Sequence, residues 1–349
     1  MEVKKIVLTG GPCAGKTKIL EYLRKELTEA GYYVLVVPET ASEYIKNNVL
    51  PNEEREHTLM FQDIIMYTQY VKEQLTEKYA DFIKDKQDII ILYDRAIMDS
   101  RAYFSQSDYE DILRKYDINE MEMIDKYDLV IDLISTATLK KECYSLNDTR
   151  SEDIEKASRI DSLTSVAWLL HRNLKVIKPT DTLDEKAVMV LNYVYYLLNN
   201  CQQCEDVMVE IDKEKSSLSV YHEDNAKKID LKRIFLDHVN GDYIDYVITR
   251  RQYNHQVSFV FDKINNGVLE RSKRISAEDY LKLLDIYGVK KIENLEQIVF
   301  VDNGNYFQIV SQNDKLFLQT SEENLEYIPE NIVLKNKDIK KVIRKKNMI

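Results

Sequence analysis

The sequence predicts an α/β domain built on a parallel sheet, followed by a mainly antiparallel β domain of α+β type. Three observations predict it. The chain has 349 residues, more than the roughly 250 to 300 that one core sustains. Residues 1–200 hold five short apolar runs that alternate with helical sequence. Beyond Cys204 the apolar runs shorten, often alternate with polar residues, and are joined by Asn, Asp and Gly turns. The division is expected at 1–200 and 205–349.

Lys4 to Gly10, KKIVLTG, reads as a short buried strand, and residues 17–30 as an amphipathic helix ending at Gly31. Tyr32 to Pro38 reads as a second strand followed by helix through Lys78, and Asp88 to Tyr93 as a third strand before another helix. Tyr127 to Ile134 and Leu174 to Ile177 supply two more. Five strands alternating with helices imply a parallel sheet covered on both faces.

In the second half, Ile229–Leu236, Tyr243–Arg251, Gln256–Lys263, Val268–Ile275, Ile298–Val301, Tyr306–Val310 and Lys315–Gln319 read as strands. Ala277 to Tyr287 reads as a helix, with Ser276 and Asp279 nearly matching a capping box. No repeat of fixed period is seen. Lys335 to Lys346 carries seven Lys or Arg and reads as a solvated helix end, with contact to an anionic surface as the other reading.

Hydrophobic residues at 44% and charged residues at 31% exclude a wholly disordered chain. The formal charge of −11 divides into about −9 for residues 1–200 and about −2 for the rest. An acidic surface repels phosphate backbones, so nucleic acid is not an expected partner. Met1 to Leu8 is a charged start to a strand rather than a secretory leader, and a cytoplasmic protein is expected. The most apolar helical stretch, Ala187 to Leu198, is too short to span a bilayer, so no transmembrane segment is expected. Cys13, Cys143, Cys201 and Cys204 are few and irregularly spaced, as in a reducing compartment. Cys201 and Cys204 form one CxxC without a second ligand pair, which favours free thiols over zinc.

The most specific motif is Gly10, Gly11, Pro12, Cys13, Ala14, Gly15, Lys16 and Thr17, which matches GxxxxGK[ST] between a strand and a helix. Its glycines permit a tight backbone whose amides, with the helix N-terminus, face phosphates. Lys16 is expected on the β and γ phosphates of ATP or GTP, and Thr17 on Mg²⁺. Asp94 and Arg95 follow the third strand, at the sheet edge where such folds bind ligands. Asp94 there holds the Mg²⁺ shell or takes a proton, and Arg95 clamps a phosphate or the acceptor; the plainer reading is a helix cap beside a surface Arg. Glu39 ends the second strand at the same edge, where it could instead be incidental to a cap by Thr40.

Sequence leaves open which of Glu39 and Asp94 is the base. Gln62 and Gln69 lie on the intervening helix; both read as ordinary polar surface residues, and only Gln62 is kept as a candidate for acceptor binding. Asn147 to Arg159 places Arg150 and Arg159 amid acids. It reads equally as a lid delivering cations to the transferring phosphoryl group or as an exposed, salt-bridged helix.

VLTGGPCAGKT, VVPETASEYI, Phe61-Gln62 and YDRAIMDSRAYF together resemble the P-loop kinase-type domain grouped with AAA ATPases and related to nicotinamide riboside kinases. The resemblance covers residues 3 to 195 and implies an α/β P-loop NTPase. A Glu after the second strand, a Gln on the next helix and Asp-Arg after the third strand are also similar to deoxynucleoside kinases, which implies a nucleoside-like acceptor.

ITRRQYNHQVSFVFDK and VLERSKRISAEDYLKLL resemble the CYTH domain, the triphosphate-tunnel barrel of adenylate cyclase and thiamine triphosphatase relatives. That resemblance implies inward cations and a metal-holding acid, with Arg250 or Arg251, Lys263, Glu270 and Arg274 as the candidates. The family's opening ExExK falls on Glu210-Ile211-Asp212-Lys213-Glu214, which puts Glu214 where Lys belongs. The pairing of the two halves resembles the family of the insect photoreceptor translocation-defect protein, which implies GTP and phosphoinositide binding.

Mg-dependent transfer of a γ-phosphoryl group to a small hydroxyl acceptor is therefore the expected activity. A nucleotide-dependent binding protein for anionic lipid or polyphosphate, or a triphosphatase in the second half, is the competing expectation.

Overall fold

The computed structural model of the chain describes residues 2–52, 54–139, 154–199, 206–237, 244–266, 268–335 and 340–342. It divides into two compact units, Met1–Asn119 with Lys126–Leu198, and Glu120–Asp125 with Asn199–Ile349. Cys143, Arg150, Cys201 and Cys204 lie outside the described residues.

The chain begins with β1 (Val3–Thr9), α1 (Lys16–Glu29), β2 (Tyr33–Val37), α2 (Thr40–Lys46), α3 (Arg55–Ile83) and β3 (Ile89–Asp94). A 3-10 segment (Ile97–Tyr103), α4 (Gln106–Lys115) and the short α5 (Glu120–Ile124) follow. Next come β4 (Leu129–Leu133), α6 (Thr136–Leu139), α7 (Ile154–Trp168), β5 (Leu174–Ile177) and α8 (Leu183–Leu198).

Strand order in the first unit is β2-β3-β1-β4-β5, parallel throughout. Helices cover a parallel sheet on both faces, so its central strands read as unbroken apolar runs. Ile6, Val7 and Leu8 of β1 and Ile90, Ile91 and Leu92 of β3 are accordingly fully buried. Helix α1 turns Ile19, Leu20, Leu23 and Leu27 onto this core, where they meet Val190, Leu191 and Val194 of α8. Each such side chain contributes about 1.5 to 3 kcal/mol by leaving water. This packing fixes α1 beneath the loop that precedes it.

The second unit continues with β6 (Asp206–Glu210), β7 (Ala226–Leu236), β8 (Ile244–Tyr253), β9 (Gln256–Asn265), β10 (Val268–Ile275) and α9 (Ala277–Tyr287). It ends with β11 (Val289–Asp302), β12 (Asn305–Gln312), β13 (Lys315–Ser321) and β14 (Lys340–Val342). All nine strands pair antiparallel, in the order β10-β9-β8-β7-β11-β12-β13-β6-β14.

One face of this sheet packs Ile234, Leu236 and Ile248 against Tyr280, Leu283 and Leu284 of α9, and gathers Phe300, Phe307, Ile309 and Leu318 farther along. The opposite face is mixed and also buried: Lys227, Arg233, Arg251, Gln297, Gln308 and Gln319 are each at most 8% exposed, among Ile229, Leu231, Val299 and Val310. Segment Glu120–Asp125 belongs to this unit. Asp125 accepts hydrogen bonds from Arg251 and Ser258, and Glu122 pairs with Arg274 at 2.7 Å.

The basic tail departs from expectation. Lys340–Val342 is a strand paired with β6 rather than a helix end, because backbone groups at the edge of a sheet take up an available partner. The rest of the tail beyond it lies outside the described residues.

Candidate functional site

Each strand of the parallel sheet delivers its carboxyl end to one edge, and the first-half candidates collect there. From β1 the chain enters Gly10 at φ 128°, a conformation open to glycine. A Cβ at Gly10 would lie 2.1 Å from the carbonyl oxygen of Leu133, so the close approach also requires it. Gly15, at φ 90°, leads into α1, whose first residues are Lys16 and Thr17. The free N–H groups of a helix's first turn and its positive dipole end favour anions.

Lys16 Nζ donates to the carbonyl oxygens of Gly10 and Gly11, each at 2.8 Å. Burial, then the neighbouring Arg95 charge, lowers its pKa to about 8 against the pull of Glu39, Asp94 and Asp99. Arg95, Glu39, Asp94 and Asp99 thus lie near enough to act on the Lys16 charge, which brings the chain at the carboxyl ends of β1, β2 and β3 into a single site.

Asp94 ends β3, and Arg95 follows at φ 63°, a left-handed conformation that bulky residues seldom adopt. The surroundings hold it there. Arg95 N–H bonds to Leu8 O at 3.0 Å, its Nε donates to Glu39 at 2.7 Å and its Nη1 to Asp99 at 3.0 Å. Strain of this kind persists where neighbours over-determine it, and it concentrates at functional sites.

The two carboxylates left undecided by sequence differ here. Burial and then the Glu39 charge raise the pKa of Asp94, against Lys16 and Arg95. Burial would also raise Glu39, but the Arg95 and Lys16 charges with hydrogen bonds from Ser42 and Arg95 leave it lowered.

Several residues that build the site escaped the sequence reading. Asp99 accepts from Thr9, Arg95, the Ala96 amide and Trp168 Nε1, so it fixes the Arg95 fork. Gln69, expected at the surface, is 4% exposed; it accepts from Thr40 at 2.5 Å and donates to Glu73 at 3.2 Å and Arg95 O at 3.4 Å. Gln62 is also buried, at 9% exposed. Glu73, fully buried, accepts from the Ile97 amide, Lys126 and Tyr127. The signal was present in the spacing: Gln62, Gln69 and Glu73 repeat at seven and four residues along one face of α3 with Phe61, Ile65 and Met66. Arg159 lies exposed on α7.

The second-half candidates do not share a face. Arg251 pairs with Ser258, and Arg274 with Val260, so both lie on the same side of the sheet, Arg251 buried and Arg274 exposed. Arg250 pairs with Phe259 and Lys263 with Tyr246, one residue out of phase and hence on the other side. Lys263 there forms an ion pair with Glu270 at 2.6 Å. Glu210 ends β6 and pairs with Lys335 at 2.9 Å, whereas Asp212 pairs with Lys215 at 2.9 Å beyond the strand. Among the described residues no cluster of three His, Cys, Asp or Glu has metal-binding geometry, and no described helix is long and apolar enough to cross a membrane.

A model of the AAA domain family matches residues 5–186, just over half of the chain. The chain belongs to this AAA domain family. The match spans the parallel sheet and the loop at Gly10–Thr17, and it supports nucleotide binding by the first unit. Among solved structures, the PH1819 protein from Pyrococcus horikoshii OT3 is similar over 35% of this chain and 82% of its own, at 17% identity and a TM-score of 0.27. No curated protein matches the chain.

Proposed function

We propose that the AAA domain is a Mg-dependent phosphotransferase that moves the γ-phosphoryl group of ATP or GTP to a small, nucleoside-like hydroxyl acceptor. The observation that carries the reading is the meeting of Lys16, Glu39, Asp94 and Arg95 at one sheet edge, with the perturbed ionisation such sites need.

The loop amides and Lys16 hold the polyphosphate, and Lys16 balances charge that spreads over the γ oxygens as the bond to the leaving diphosphate breaks. Hard oxygen donors suit Mg²⁺, and the Thr17 hydroxyl at the start of α1 is a fitting one. Bound there, the ion would neutralise the β and γ oxygens. Asp94, whose affinity for a proton is raised by burial and by the neighbouring Glu39 charge, is the better base for the acceptor hydroxyl. Glu39 stays ionised and aims the Arg95 fork at the acceptor. Gln62 contributes acceptor binding from α3, and Arg150 and Arg159 supply lid cations.

The test is a panel of nucleosides and nucleotides with γ-labelled ATP or GTP. Label should pass to one acceptor class, and Asp94→Asn should stop transfer while leaving nucleotide affinity within about threefold. Release of free phosphate alone, at the same slow rate in both proteins, refutes the transferase.

A second reading concerns the antiparallel unit. Lys227, Arg233 and Arg251 gather on one face, which favours a polyanion site of the triphosphate-tunnel kind whose ligand would compete for them with Glu223, Glu293 and Asp125. This supports a CYTH-like regulatory role, with phosphoinositide or polyphosphate as ligand. Arg251→Gln should then abolish binding of inorganic triphosphate, with Lys16→Ala leaving it intact.

A further inference from the structure

The phosphate-binding loop is gripped from behind by a carboxylate that belongs to another helix. Asp161 of α7 is 1% exposed. Its Oδ1 accepts the Gly11 amide at 2.7 Å, both oxygens accept the Ser135 amide at 3.1 Å, and Oδ2 accepts the Thr138 hydroxyl at 2.6 Å. Contact is close enough that a Cβ on Gly11 would sit 2.6 Å from Asp161 Cβ and Oδ1.

Other groups hold the carbonyl side of the same loop. Ser135 Oγ donates to Pro12 O, and Lys186 Nζ of α8 donates to Ala14 O and Ile134 O at 3.1 Å each. A second carboxylate, Asp132 of β4, is fully buried beside this group and accepts from Ser165. Two acids thus face one lysine at the rear of a loop meant for anions.

Electrostatics alone argues against that placement, because a buried negative charge opposes a phosphate. Geometry explains it. The Gly11 amide is committed to Asp161, which leaves the phosphate to the amides farther along, where α1 begins. Helix α7 also carries Arg159 two residues earlier. One helix thus holds the Gly11 amide and carries Arg159.

We propose that Asp161 is a positioning residue, which sets the register of the loop through Gly11 and couples it to α7. This rests on the nucleotide-binding reading of the loop. It goes further by naming a residue outside the motif on which the phosphate grip depends.

Position and charge make opposite predictions for two substitutions. Asp161→Asn keeps an oxygen for the Gly11 amide and removes the charge, whereas Asp161→Glu keeps the charge and displaces the oxygens by one methylene. Affinities of the full chain for Mg-ATP, Mg-GTP and the corresponding nucleosides are measured by calorimetry, with melting temperatures measured in parallel. The proposal predicts native or tighter triphosphate binding for the Asn variant. For the Glu variant it predicts at least tenfold weaker triphosphate binding, with nucleoside affinity changed less than threefold.

Asp161→Ala should behave as the Glu variant does; where either fails to fold, the other is read. Lowered melting temperatures with native triphosphate affinity in the folded Glu or Ala variant overturn the proposal and leave the loop's reading standing. Weaker binding by Asn than by Glu also overturns it, in favour of a charge effect. Failure of the native chain to bind any Mg-nucleotide removes the underlying reading and the proposal with it.

Discussion

Arg95 Nε lies 2.7 Å from Glu39 Oε1, which joins the carboxyl ends of the neighbouring strands β3 and β2. Asp99, 3.0 Å from Nη1, holds the other side of the guanidinium. A planar fork can satisfy both carboxylates at once, and an ammonium cannot. Arg95→Lys should therefore lower kcat/KM for the acceptor by about tenfold to a hundredfold, or roughly 1.4 to 2.7 kcal/mol. Nucleotide affinity should change far less. Steady-state kinetics with each substrate varied in turn checks the split.

Glu73 ties α3 to the residues after β3 and before β4, through the Ile97 amide, Lys126 and Tyr127. Removing one partner of a buried ion pair costs about 3 to 5 kcal/mol, because the other charge is left uncompensated. Lys126, buried at 11% side-chain exposure, keeps a second carboxylate in Glu77 at 3.0 Å, so Glu73→Gln should lose less than that, about 1 to 3 kcal/mol. Urea unfolding of both proteins gives the difference, and a loss below about 1 kcal/mol shows that the pair is not integral to the core.

His171 is 3% exposed, its Nε2 bonded to Tyr127 O at 3.0 Å and its Nδ1 accepting the Asn173 amide at 3.1 Å. Burial lowers its pKa to about 4 from 6.5. The unfolded chain thus binds a proton below pH 6.5 that the folded chain refuses until about pH 4, so stability falls as pH drops through that window. The whole shift corresponds to about 3 kcal/mol. Asp132, raised to about 7 chiefly by burial, acts in the opposite sense, since stability falls as its window is crossed upward. Comparing the native chain with His171→Gln isolates the histidine: the difference in unfolding free energy should shift by about 3 kcal/mol between pH 7 and pH 4. A constant difference contradicts it.

Much of the fold was legible because it rests on local patterns. The five apolar runs of the first half became the five parallel strands, and Ala277–Tyr287 is the helix that its spacing predicted. Three stretches of strand escaped, Lys340–Val342 in the basic tail among them. Asp206–Glu210 is short and follows a cysteine-containing polar stretch. The first part of β11 reads Val-Lys-Lys-Ile-Glu-Asn, mostly exposed and held in place by pairing with β7. Pairing between distant strands leaves little trace in a local pattern.

The site divides in the same way. Its loop, Glu39, Asp94 and Arg95 sit at strand ends, where position alone implies exposure to a ligand. Asp99, Glu73 and Asp161 serve by holding other residues across 90, 24 and 150 positions, to Thr9, Ile97 and Gly11 respectively. Distances of that kind appear only when the chain is folded. The split between Arg250 with Lys263 and Arg251 with Arg274 likewise depends on register, which a one-residue slip would reverse.

Titration calorimetry of Mg-ATP and Mg-GTP into the native chain and Lys16→Ala is the most direct measurement of the central claim. The account predicts micromolar or tighter binding of one nucleotide by the native chain, weakened at least tenfold by the substitution while the melting temperature holds. Equal affinity in the two proteins, or heatless titrations of a well-folded native chain with either nucleotide, contradicts it.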